Sequence, residues 1–185
     1  LTPDELHPGS APLTGLFARR CLALSIHNLL ELMLLISDNS ATDVLLREAG
    51  GAESVTALMR KLGVDGINVN RPTNLLIADA RANMDALLED PRDTSTPQGM
   101  VKLLGLIHAG RTLNPEMTAT LMDILRRCRT GEARLKGLLP KGSVVAHKTG
   151  SLRGVSNDVG IIELPDKAGH VALAAFVKGS KNDSE

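Results

Sequence analysis

SVVAHKTGSLRGVSNDVGIIELPDKAGHVALAAFVK, residues 143–178, decides the fold. Three short runs within it, 143–147, 155–164 and 170–178, are rich in Val, Ile and Ala and bounded by glycine or proline, which is how strands read. Pro165-Asp166-Lys167-Ala168-Gly169 makes a turn between the last two and so implies an antiparallel pair. Upstream the punctuation is helical. Ser25 caps a helix to about Ile36 that is apolar almost all round and is expected to be buried. Ser40 opens a second over 41–49, which Gly50-Gly51 ends, and 52–62 is a third. Residues 64–70 read as a short extended piece and 75–88 as a helix, broken by Asp90-Pro91-Arg92-Asp93. Thr96-Pro97 and Asn114-Pro115-Glu116 each start a helix with proline in its first turn, ending near Ala109 and Arg129.

Helices first and strands last predict an α+β fold, a helical lobe packed on an antiparallel sheet. The expected layout is a single domain: residues 1–140 mainly helical, with a long loop over 64–95, and 141–180 the strands. Residues 1–20 read as loop, with Pro3, Pro8, Gly9, Pro12 and Gly15 breaking any period. Three strands make a weak sheet alone, so the sheet is expected to be incomplete here. The opening Leu1-Thr2-Pro3 reads as the middle of a longer protein, to be completed by segments at both ends.

Composition narrows the function. Lys+Arg and Asp+Glu balance at 21 each, which removes the electrostatic case for nucleic acid or an anionic membrane. Phe17 and Phe176 are the only aromatic residues besides histidine, so stacking on bases or sugar rings is not expected. The run from 22 to 36 is interrupted by Ser25, His27, Asn28 and Glu31 and is too short for a membrane span. Five scattered histidines and two cysteines, Cys21 and Cys128, show no metal-ligand spacing; the cysteines are expected to be separate thiols. No metal or other cofactor is expected.

Two triplets carry chemistry. Lys148-Thr149-Gly150, at the end of the first strand run, brings together an ammonium, a hydroxyl and a bare backbone that a flat ligand can approach. Ser151 adds a second hydroxyl. Ser37-Asp38-Asn39, 111 residues upstream of the lysine, lies between two helices and offers a hydroxyl and an amide.

In this order and setting the triplets resemble two of the three signature boxes of the penicillin-recognising serine hydrolases, and the spacing fits the class A β-lactamase family. Residues 37–46 with 50–51, 92–97, 139–140 with 147–151, and 157–160 resemble the helix, omega-loop end and strand region of that family, so the likeness runs along nearly the whole chain. It implies attack on a β-lactam carbonyl by a serine, an acyl-enzyme, and hydrolysis by an activated water. Ser37 would relay a proton to the lactam nitrogen. Asn39 would hold the acylamide. Lys148, Thr149 and Ser151 would hold the carboxylate beside Gly150, where the bare backbone admits the substrate, with the Ser151 N–H as an oxyanion donor. Arg71 and Asp93 match a salt bridge that pins the omega loop. The family also implies a periplasmic or secreted protein.

The chain departs from the pattern twice. No serine in it is followed three residues later by lysine, so the nucleophile box is expected upstream of Leu1. Thr73 stands where the family has the glutamate that activates the deacylating water; Asp79, Asp85 and Glu89 are the acids that could replace it. The rival expectations are a D-alanyl-D-alanine peptidase or esterase, acting on a peptidoglycan-like peptide, and a penicillin-binding domain without turnover.

Overall fold

β1 (Val145–Leu152) and β2 (Val155–Glu163) form an antiparallel hairpin across Arg153-Gly154 in the computed structural model. Gly154 has φ 71°, a left-handed conformation that a side chain would strain. β3 (His170–Lys178) adds antiparallel to β2, giving the order β1-β2-β3. The structure describes residues 2–7 and 22–181; residues 8–20 of the loop expected over 1–20, and Cys21, lie outside them, and within its described part Pro3–Glu5 forms a short 3-10 helix. β1 runs on to Leu152 instead of ending at His147, because pairing with β2 carries it: Lys148 lies opposite Val159, Thr149 opposite Asp158 and Gly150 opposite Asn157. The Lys-Thr-Gly triplet is therefore inside a strand.

Seven α-helices precede the sheet among the described residues: α1 (Ile26–Ile36), α2 (Asn39–Glu48), α3 (Ala52–Lys61), α4 (Thr73–Ala82), α5 (Met84–Glu89), α6 (Pro97–His108) and α7 (Pro115–Arg126). Ser25 starts α1 with a reciprocal capping box to Asn28. Asp38, not Ser40, caps α2, its Oδ1 accepting the Ala41 N–H at 2.8 Å. Ser40 is fully buried and accepts the His7 N–H at 2.7 Å.

Hydrogen bonds, two of the three long-range, move three other boundaries. α4 starts at Thr73 because the Asp43 carboxylate, reaching over from α2, accepts the Thr73 and Asn74 N–H groups at 2.6 and 2.9 Å. Asn83 splits the single helix expected over 75–88: its φ of −158° leaves the helical region and its side chain caps α5 through the Ala86 N–H. α7 stops at Arg126, short of Arg129, because the Arg129 N–H donates to the Leu35 carbonyl at 2.9 Å.

α6 and α7 lie on the sheet. Leu104, Met122 and Leu125 pack there with Ala146 and Ile161. Burying a side chain of leucine or methionine size stabilises by roughly 1.5–3 kcal/mol. α1 packs against both α2 and α7, with Leu29 buried alongside Ala41 and Val44. It is not buried all round as its composition suggested: Ile26 is 52% exposed. Met59, Val64 and Ile67 form a third cluster under Leu103 of α6. At its neck the 64–95 loop is closed by Thr96 N–H to Gly66 carbonyl (2.7 Å) and Asn68 N–H to Thr94 carbonyl (2.8 Å). No helix among the described residues is long and apolar enough to cross a membrane.

Candidate active site

The first half of the site is built where α1 ends. Ser37 takes φ 58° and ψ 42°, a left-handed conformation uncommon outside glycine, and leaves its side chain exposed. Asp38 turns inward as the cap of α2. Asn39, the first residue of α2, is half-buried. The second half comes from β1. Lys148 Nζ donates to Ser37 Oγ at 2.8 Å and to the Thr149 carbonyl at 2.6 Å. Burial lowers the lysine pKa from its ordinary value, and Arg134 adds to the effect, while Cys128 and Asp158 oppose it. Loss of solvent in this way disfavours the charged form of the ammonium.

Gly150 and Ser151 are exposed further along β1. Arg134, from the segment after α7, lies across them. It donates to the carbonyls of Gly150 (3.2 Å) and Asn157 (2.8 Å) and to Ser151 Oγ (2.6 Å). Thr130 Oγ1 lies 2.6 Å from Thr149 Oγ1. Neither Arg134 nor Thr130 belongs to a motif, and no pattern in residues 127–142 marks them; only the packing of that segment on β1 reveals them. Lys148, Arg134 and the hydroxyls of Thr149 and Ser151 form a cationic, donor-rich surface suited to a carboxylate.

Gly131 keeps this surface tight. Its φ is 72°, and a Cβ there would sit 2.5 Å from Thr149 Cγ2. Gly131→Ala is expected to destabilise the fold by about 1–3 kcal/mol and to displace Thr149. Thermal melting and the Thr149 methyl resonance would show both effects.

Behind Thr149 lies a buried polar cluster. His147 is fully buried, and its Nδ1 lies 2.9 and 3.0 Å from the two carboxylate oxygens of Asp158. Asp158 Oδ2 also accepts the Leu135 N–H at 3.2 Å. Cys128 is a buried free thiol with Sγ 3.3 Å from Thr130 Oγ1.

The long loop is pinned by charge. Arg71 Nε donates to Asp93 Oδ2 at 2.6 Å, its Nη2 reaches Asp90 at 3.2 Å, and its Nη1 pairs with Asp79. Asp93 Oδ1 accepts the N–H groups of Asn70 and Arg71 at 2.7 and 3.2 Å. The acids considered as replacements for the omega-loop glutamate point elsewhere. Asp79 is held by Arg71, exposed Asp85 lines a surface cavity with Arg153, and Glu89 pairs with Lys178 at 3.8 Å. Thr73 heads α4 under the Asp43 carboxylate, which His7 Nε2 also contacts at 2.7 Å. No group of three or more His, Cys, Asp or Glu among the described residues is arranged to hold a metal ion.

Known proteins resemble this chain in sequence and fold. A beta-lactamase of Bacteroides uniformis is 30% identical over 183 residues, 95% of this chain and 59% of that protein. The TLA-3 extended-spectrum beta-lactamase superposes with a TM-score of 0.88 at 31% identity, over 98% of this chain and 66% of that one. A point mutant of PBP-A, solved as an acyl-enzyme complex with penicillin G, superposes with a TM-score of 0.80 at 28% identity, over 98% and 62%. The chain thus spans about 59–66% of the length of these relatives. The family model described as "Beta-lactamase enzyme family" matches residues 1–185, end to end, and on that match the chain belongs to the beta-lactamase enzyme family.

Proposed function

We propose that these residues supply the proton-relay and carboxylate-anchoring part of a site that hydrolyses β-lactams through a serine acyl-enzyme. The observation that carries the reading is the 2.8 Å bond from Lys148 Nζ to Ser37 Oγ, which joins the two signature triplets. In the proposed step Ser37, polarised by Lys148, delivers a proton to the lactam nitrogen as the ring C–N bond breaks. Asn39 holds the acylamide. Thr149 and Ser151 donate to the substrate carboxylate, with the charge of Lys148 and Arg134 behind them. The Ser151 N–H stabilises the oxyanion. No Ser-x-x-Lys occurs in the 185 residues, so the attacking serine is assigned to residues outside them. The substrate is a small β-lactam, no cofactor takes part, and the protein works in the periplasm or as a secreted enzyme.

A second reading, a penicillin-binding domain or peptidase that acylates and stalls, is favoured by one observation. Thr73 stands in the omega-like loop where an acid would activate water, and Asp79, Asp85 and Glu89 are engaged or directed elsewhere.

Intact mass spectrometry of the natural polypeptide, followed over time with penicillin G, separates the two. Hydrolysis gives an adduct of one drug molecule that decays as the drug is consumed. A lasting adduct selects the stalled acyl-enzyme, and the absence of both an adduct and drug consumption rejects serine acylation.

A further inference from the structure

We propose that ionisation of Cys128 sets the direction in which the Thr149 hydroxyl points, making Cys128 and His147 positioning residues for carboxylate anchoring. The proposal rests on the anchoring role given to Thr149 above. It starts from donor and acceptor arithmetic along a single line of atoms.

Thr130 Oγ1 lies between Cys128 Sγ (3.3 Å) and Thr149 Oγ1 (2.6 Å). Each hydroxyl has one proton to give. A thiolate can only accept, so Thr130 must donate to it. Thr149 must then donate to Thr130 to keep their short bond, and its proton is turned inward, away from any ligand. A thiol has a proton of its own to give. Thr130 is then free to donate to Thr149, and the Thr149 proton can point outward to a carboxylate. One proton on a buried sulfur thus decides whether the anchoring hydroxyl offers a donor or a lone pair.

The surroundings of the sulfur make that proton labile. His147 is fully buried, its Nδ1 is held by Asp158, and its Nε2 has no hydrogen-bond partner. The cluster therefore holds a second feature beside the cysteine: a fully buried imidazole that interacts with the thiol and whose Nε2 has no hydrogen-bond partner. Burial alone would raise the thiol pKa, but interactions with His147 and Thr130 outweigh it and bring the value to about 7. For His147 burial works downward, and Asp158 and Cys128 outweigh it, giving about 9. The charged groups around the sulfur are Lys148 and His147 on β1, Asp158 on β2, and Lys136, whose Nζ donates to the Cys128 carbonyl at 3.3 Å. On the α1 side Glu31 is held at 2.9 Å by Arg127, the residue before Cys128.

The sign of the linkage selects the readout. The raised His147 pKa contributes stability that is full below its ordinary 6.5 and lost as pH rises through about 9. The lowered Cys128 pKa contributes stability that is full above its ordinary 9.0 and lost as pH falls through about 7. Between about 7 and 9 the folded pair is thiolate and imidazolium, and the unfolded pair is thiol and imidazole. Both hold one proton, so folding stability shows almost no slope there and the device must be read spectroscopically.

The test uses the natural polypeptide with Cys21 and any other cysteine except Cys128 replaced by serine, so that Cys128 is its one thiol. Thiolate absorbance near 240 nm and the 13C-methyl resonance of Thr149 are followed from pH 5 to 10. Both are expected to titrate together with a midpoint near 7. His147→Asn is expected to move the thiolate midpoint upward, because burial is then opposed only by the Thr130 hydrogen bonds, and Cys128→Ala to abolish the Thr149 titration. Circular dichroism checks that each variant is folded; should one fail, the co-titration in the unsubstituted pair still decides. With His147 in place, a thiolate midpoint above about 8.5, the ordinary thiol value, overturns the proposal, as does a Thr149 methyl that titrates in Cys128→Ala as before. None of these signals requires acylation, so failure of the proposed function would show separately, in the mass experiment.

Discussion

On the proposed function, replacing Lys148 with alanine is expected to lower the second-order rate of penicillin acylation by about 10²–10³-fold. The ammonium makes a charge-assisted hydrogen bond to Ser37 Oγ, an interaction worth about 1.5–3 kcal/mol. It also supplies positive charge beside the hydroxyls proposed to receive the carboxylate. Together these amount to about 3–4 kcal/mol of barrier, and each 1.36 kcal/mol is tenfold in rate. Lys148→Arg keeps the charge but replaces a compact point donor with a planar fork, so recovery is partial. The pH profile adds an independent check. Burial lowers the Lys148 pKa, so the alkaline limb of wild-type acylation falls below the ordinary lysine value of 10.5. The limb disappears in the arginine variant, whose charge persists. Stopped-flow acylation of the natural polypeptide measures both, and an alanine variant within twofold of wild type would remove Lys148 from the mechanism.

The largest stability effect is expected at Arg71. Its side chain is only 5% exposed and is shared among Asp93, Asp90 and Asp79, whose side chains are 11%, 15% and 50% exposed. Arg71→Ala leaves the Asp93 carboxylate buried without its cation, and breaking a buried pair from one side costs about 3–5 kcal/mol. For a chain of this size that lowers the melting temperature by roughly 10 °C. The neck bonds between 66–68 and 94–96 are backbone to backbone and persist, so the loss is confined to the loop between them. Hydrogen exchange is expected to accelerate in α4 and α5 before it does in the sheet. Asp79→Asn, at a half-exposed partner, is expected to change the melting temperature little. Arg92 bonds hold the Asp90 carboxyl well below its ordinary range, so its contribution is present above about pH 4 and is lost on further acidification. Equal melting of wild type and Arg71→Ala would show that the loop does not depend on this arginine.

How much of this was legible depended on distance along the chain. The α+β order, the hairpin turn at Pro165–Lys167, the Ser25 cap and the proline starts of α6 and α7 are local, each written within a few residues, and all can be read without the fold. The boundaries that moved answer to remote partners: Thr73 to Asp43, Arg129 to Leu35, and Lys148-Thr149-Gly150 to the strand opposite. Asn83 is a local signal that helical composition on either side concealed.

The candidate site divides in the same way. By itself the sequence determined the family and the chemical vocabulary, because a hydroxyl, an ammonium and a glycine in fixed order are covalent facts. Tertiary structure alone decided which groups work together. Ser37 meets Lys148 because the end of α1 is carried to β1 by α7, which packs on both. Arg134 and Thr130 join the site, and Cys128, His147 and Asp158 gather behind it, because one segment folds back over the strand. Hydrogen bonds act over about 3 Å, and proton affinities respond to burial and neighbouring charge, so both take their values only after distant parts of the chain have been packed together.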